Sequence, residues 1–116
     1  MKISTMKELL NAEVLCCEEN VEREVYSACG CDLMSDVLAY VKDQAVLLTG
    51  LVNPQVIRTA VMMDMVCVVF VRSKMPSEEM LELAKDSGIV VMTTDKRLYE
   101  ACGLLYSSGL VGNKAK

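Results

Sequence analysis

From the middle of the chain onward, short apolar runs alternate with stretches whose apolar positions recur every three or four residues. Ala45-Val46-Leu47-Leu48-Thr49, ended by Gly50, is one run; Val66-Cys67-Val68-Val69-Phe70-Val71 and Ile89-Val90-Val91-Met92-Thr93 are two more. None of them alternates apolar with polar, the pattern of a strand covered on both faces by helices. Between them, Asn53-Pro54 reads as an N-cap with proline at the first helical position, followed by a stripe of Val56, Ile57, Ala60 and Val61. After Pro76, Glu78 and Glu79 suit a helix N-terminus, Met80, Leu83 and Ala84 form the stripe, and Gly88 stops it. Thr94 or Asp95 is expected to cap a last helix with Leu98, Ala101, Cys102 and Leu105 inward. The strands recur at the spacing of right-handed β-α-β crossovers.

The first forty residues are patterned less cleanly. Thr5-Met6-Lys7-Glu8 fits a capping box that opens a short helix through Leu10. Glu13 to Cys17 reads as a strand, the acidic Glu18 to Glu24 as a solvated turn or helix start, and Val25 to Cys29 as extended. Asp32 would then cap a helix with Leu33, Val37, Leu38 and Val41 on one face. The expected fold is α/β, a single three-layer domain with a mainly parallel sheet flanked by helices over residues 1–110, and a flexible C-terminal tail over 111–116.

Composition narrows the chemistry. Of 116 residues, 53% are hydrophobic, enough for one domain with a substantial core. Twelve basic against sixteen acidic residues leave a net charge of −4, so nucleic acid is not an expected partner. With no histidine, imidazole acid–base catalysis, Ser-His-Asp triads and His-ligated zinc are excluded together. No apolar run approaches the length of a membrane span, and the opening residues lack a signal-peptide core. Six cysteines therefore read as reduced thiols of a cytoplasmic protein rather than a disulfide framework.

Asp32-Leu33-Met34-Ser35-Asp36-Val37-Leu38-Ala39, Leu48-Thr49-Gly50 and Asn53-Pro54-Gln55-Val56-Ile57-Arg58-Thr59-Ala60, in that order, resemble the DRTGG domain family. The resemblance continues through Val69-Phe70-Val71-Arg72, Leu83-Ala84-Lys85, Thr93-Thr94 and Tyr99-Glu100-Ala101-Cys102-Gly103. It implies a module similar to the N-terminal domain of the HPr kinase/phosphorylase, of the kind found beside CBS domains, that regulates or binds a ligand rather than catalysing. Where the family's Asp-Arg pair aligns, this chain has Asn53-Pro54. Where a Thr-Gly-Gly-like strand end is usual, it has Val71-Arg72-Ser73.

If the strands are parallel, Thr49, Gly50 and Asn53, then Arg72 and Lys74, then Thr93 and Thr94 fall on one C-terminal edge, with Arg58 nearby. Helix N-termini point toward such an edge, which is where α/β sheets take anions. These eight residues are the candidate ligand site, for a nucleotide or another phosphate-bearing ligand. The same features also read as a capped turn and solvated surface charges, and neither G-x-G-x-x-G nor a P-loop is present. Cys29-Gly30-Cys31 supplies two soft ligands where structural metal sites need four, which leaves a thiol redox protein using Cys29 and Cys31 as an alternative. No catalytic residue, metal or cofactor is expected. A homodimer is expected from the apolar content, and a protein-interaction partner without ligand is the remaining alternative.

Overall fold

A computed structural model of the chain describes residues 1–40 and 44–111. Val41 and residues 112–116 of the expected tail lie outside them. Helix α1 (Ile3–Leu10) leads into strand β1 (Glu13–Cys16), a short 3-10 turn (Glu18–Asn20) and strand β2 (Ser27–Gly30). Then follow α2 (Met34–Tyr40), β3 (Ala45–Thr49), α3 (Pro54–Met62), β4 (Cys67–Phe70), α4 (Glu78–Ser87), β5 (Val90–Thr93) and α5 (Leu98–Ser107).

The five strands form one sheet in the order β1-β5-β4-β3-β2. From β2 to β5 each strand pairs in parallel with the next, with Val46 opposite Cys67 and Val68 opposite Val91. β1 pairs antiparallel with β5 and carries a register shift between Val14 and Cys16. Sequential parallel strands joined by right-handed crossovers place α2, α3 and α4 on one face; each of these helices contacts the next, while α1 and α5 contact one another. Every residue of β3, β4 and β5 is buried. That is the physical meaning of the unbroken apolar runs, and each fully buried Val or Leu there contributes about 1.5–3 kcal/mol.

Caps on the crossover helices follow the expected chemistry. Asn53 stays extended and its side chain accepts from the Gln55 amide at 2.9 Å, while Pro54 begins α3. Ser77 accepts from the Met80 amide, and Gly88 ends α4 at φ +70.

Elsewhere tertiary contacts override local signals. α1 begins at Ile3 rather than at a Thr5 capping box, because the amides of Ile3 and Ser4 donate to the carbonyls of Arg23 and Val21. α5 begins at Leu98, with Arg97 in the cap position and no side-chain cap. Neither Thr94 nor Asp95 caps it: the helix starts three residues further on than Asp95, and Thr94 Oγ1 donates to the Leu10 carbonyl and accepts from the Lys96 amide instead. Asp32 does not cap α2, which starts at Met34, and so Asp32 and Asp36 are not an i,i+4 helical pair. Met34 and Val37 are the buried residues of α2, whereas Leu33 and Leu38 are exposed. Val61 on α3 is exposed, and Cys102 on α5 is only half-buried.

Candidate functional site

Because β2 to β5 run the same way, Gly30, Thr49, Phe70 and Thr93 end on a common edge. At the end of β3, the Asp32 carboxylate closes onto the turn. One oxygen, Oδ1, accepts both the Thr49 hydroxyl and the Gly50 N–H, each at 2.8 Å. Thr49 Oγ1 accepts in turn from the Leu51 amide at 3.1 Å. The Gly50 amide, then the Thr49 hydroxyl, hold the Asp32 carboxyl below its usual range, with the nearby Arg72 charge adding to them against the opposing effect of burial.

Gly50 matters sterically as well. A Cβ there would stand 3.1 Å from the Arg72 guanidinium, so a side chain at this position would press on the end of Arg72 and shift it by a few tenths of an ångström. Arg72 and Ser73 both adopt φ +58, an uncommon pairing for residues with side chains. The neighbouring connection over-determines it: the Arg72 amide donates to the Lys96 carbonyl and the Ser73 amide to the Thr94 carbonyl, both at 2.8 Å.

The eight residues expected at the site separate into three groups. Thr49, Gly50 and Arg72 stand together at the β3–β4 ends, whereas Lys74 lies beside the β5 end; the Arg72 and Lys74 side chains are exposed. Asn53, Thr93 and Thr94 spend their side-chain polar atoms on the fold. Asn53 caps α3, the Thr93 hydroxyl donates to the Lys74 carbonyl at 2.8 Å, and the Thr94 hydroxyl donates to the Leu10 carbonyl at 2.7 Å. Arg58 is drawn to the outer helix layer, 3.8 Å from Glu79. Beside the β5 end an open depression of about 300 Å³ is lined by two of the expected residues, Thr93 and Thr94, together with Asn11, Glu13, Ser73 and Asp95 among others.

Asp32 is the residue that sequence reasoning missed at this edge. Its only local signal is its place directly after a strand; its partners lie on another one. The setting of Cys29 does not activate its thiol. All six cysteines are free, and burial, with Cys31, Cys102 and Asp36 adding, pushes the Cys29 thiol up to about 11. A thiol of that pKa is a poor nucleophile at neutral pH. Among the described residues no group of three His, Cys, Asp or Glu side chains is arranged to hold a metal ion, and no helix is long and apolar enough to cross a membrane.

The fold is a mainly parallel α/β domain whose strand-end edge carries polar and cationic groups. The chain belongs to the DRTGG domain family, whose model matches residues 5–108. In structure it resembles the CBS and DRTGG domains of the regulatory region of Clostridium perfringens pyrophosphatase, solved in complex with the activator diadenosine tetraphosphate. The TM-score is 0.76 at 20% sequence identity, over 92% of this chain and 46% of that one. The present chain thus spans less than half of that regulatory region. No curated protein matches it in sequence.

Proposed function

We propose that this protein is a non-catalytic regulatory module of the cytoplasm that binds a nucleotide or similar phosphate-bearing ligand at the β3–β4 strand ends, as a homodimer. The observation that carries the reading is the exposed Arg72, set just after a buried parallel strand with its guanidinium beside the Thr49–Gly50 turn, and followed by a second exposed cation, Lys74. Positive side chains at that position reinforce the field of the helix N-termini that follow the strands. Membership of the DRTGG family supports a regulatory role, and the similar domains were solved with a dinucleotide polyphosphate activator. Free cysteines throughout suit a reducing compartment.

Titration calorimetry with diadenosine tetraphosphate and ATP, on wild type and Arg72→Ala, tests this reading. Arg72→Ala should weaken binding by about 1–3 kcal/mol, the worth of a charge-assisted contact. Equal affinity removes Arg72 from the site. Sedimentation of the same samples should give twice the chain mass, and a concentration-independent monomer ends the dimer reading.

The second reading is a protein-interaction module, favoured by large apolar side chains on the surface. Tyr99 is 92% exposed, Met62 68% and Leu33 58%. Absence of binding by either nucleotide at millimolar concentration selects it.

A further inference from the structure

Helix α5 buries Ala101 and Leu105 on its inner side and turns Tyr99, Gly103 and Tyr106 outward. Residues three and four apart share a helix face, so Gly103 forms a notch between the two rings. Tyr99 is 92% exposed and Tyr106 65%. Nothing inside the chain asks for glycine at 103. A Cβ there meets no atom within 4 Å, and the residue is not among those with positive φ. Gly30, by contrast, is required from within, since a Cβ there would collide with Cys102 Sγ. Glycine is also a poorer helix former than alanine, and what it offers in exchange is close approach of another backbone. We propose that the Tyr99–Gly103–Tyr106 face of α5 is the surface on which a second copy of this chain docks, the two α5 helices crossing antiparallel at Gly103.

The proposal rests on the homodimer in the reading above and gives it a surface. A crossing about a twofold axis lays Tyr99 beside Tyr106 of the partner subunit, and does so twice, so the patch is complementary to itself. Paired aromatic rings and close backbone contact at the two glycines then fill the crossing. Charge points to the occupant. In its ten residues α5 carries only Glu100, whereas α4, of the same length, carries Glu78, Glu79, Glu82, Lys85 and Asp86. A strongly charged partner of either sign finds little to pair with on α5. Two copies of a chain of net charge −4 repel least where few charges meet, and α5 is such a place.

Gly103→Arg tests this without touching the core, because the position is exposed and its Cβ direction is open. Sedimentation across a range of concentrations should show a wild-type dimer, and in Gly103→Arg the dissociation constant should rise about a hundredfold or more, the scale of a central interface contact. Met62→Arg puts the same charge on an exposed apolar position of α3 and should leave the dimer intact. Gly103→Ala should act in opposite directions on chain and assembly. It should raise the melting temperature at high dilution, where the helix gains from alanine, and weaken the dimer several-fold as the notch fills. A wild-type dimer that Gly103→Arg leaves unimpaired overturns the proposal while the dimer itself stands on another surface. Dissociation by Met62→Arg in place of Gly103→Arg overturns it as well, and so does a Gly103→Ala dimer as tight as wild type. A wild-type monomer at every concentration ends both the proposal and the dimer reading.

Discussion

Thr49 and Thr94 stand one residue apart in register at the same edge of the sheet, each beyond an unbroken apolar strand, and each hydroxyl is a hydrogen-bond donor with one good partner. At the β5 end the partner is the Leu10 main-chain carbonyl, fixed by α1, and the neighbouring Thr93 hydroxyl is likewise held by the Lys74 carbonyl. At the β3 end the partner is the carboxylate of Asp32, carried on a residue exposed to solvent. A main-chain acceptor cannot leave without unfolding its element, whereas a side-chain carboxylate can be exchanged for another anion. One half of the edge is therefore a joint between α1 and the sheet, and the other half is held by an exposed side chain that can move away.

Three substitutions test that division, from the largest effect to the smallest. Thr94→Val removes a buried hydroxyl that donates to Leu10 and accepts from the Lys96 amide. It should cost about 2–3 kcal/mol in denaturant unfolding, with both main-chain groups left wanting a partner. Anion affinity should be unchanged in the folded fraction, and an effect on affinity would erase the distinction between the two halves.

Asp32→Ala should cost less, about 1 kcal/mol at neutral pH, because solvent screens an exposed carboxylate. Its pH dependence is the sharper readout. The folded carboxyl is held below its ordinary value, so its stabilisation is fully present above the ordinary Asp range. It is lost as pH falls through the depressed folded value. The gap between wild type and Asp32→Ala in thermal melts should therefore persist from neutral pH to about pH 4 and close below it. A gap that stays constant into strong acid would mean that the carboxylate charge is not what holds this half together.

Ser73→Gly is the mildest. Ser73 sits at φ +58, where glycine carries no steric penalty. Part of that relief is offset by the greater freedom of glycine in the unfolded chain. A rise of up to about 1 kcal/mol is expected in the same melts. A loss would show that the Ser73 side chain contributes something that outweighs its strained backbone.

The difference between the two halves also explains what could be read along the chain. Apolar runs identify β3, β4 and β5 because burial on both faces leaves a purely local trace. The Asn53-Pro54 start of α3 and the Gly88 stop of α4 are equally local, each satisfied within a few residues. What was not legible depends on atoms far away in sequence. The start of α1 is set by carbonyls of Val21 and Arg23, and the Thr94 hydroxyl is taken by the Leu10 carbonyl from the far end of the chain. Asp32 has the composition of a helix cap, and only the arrival of β3 beside β2 gives it another use. The candidate residues at the edge divided in the same way. Position along the strands brings Thr49, Gly50 and Arg72 together, but no pattern of residue types reveals that the Thr93 and Thr94 hydroxyls are already taken by the Lys74 and Leu10 carbonyls.

The antiparallel pairing of β1 with β5 has a consequence for the order of assembly. β1 is the first strand to leave the ribosome, yet its partner is the last strand of the domain. The parallel pairs β2–β3, β3–β4 and β4–β5 each join consecutive strands, so they can form in the order in which they are made. The N-terminal helix and strand must wait, with their apolar faces uncovered, until Val90–Thr93 has emerged. The Thr94 hydroxyl on Leu10, one residue beyond that strand, then closes the molecule, so that nearly the whole chain is synthesised before its beginning finds its place.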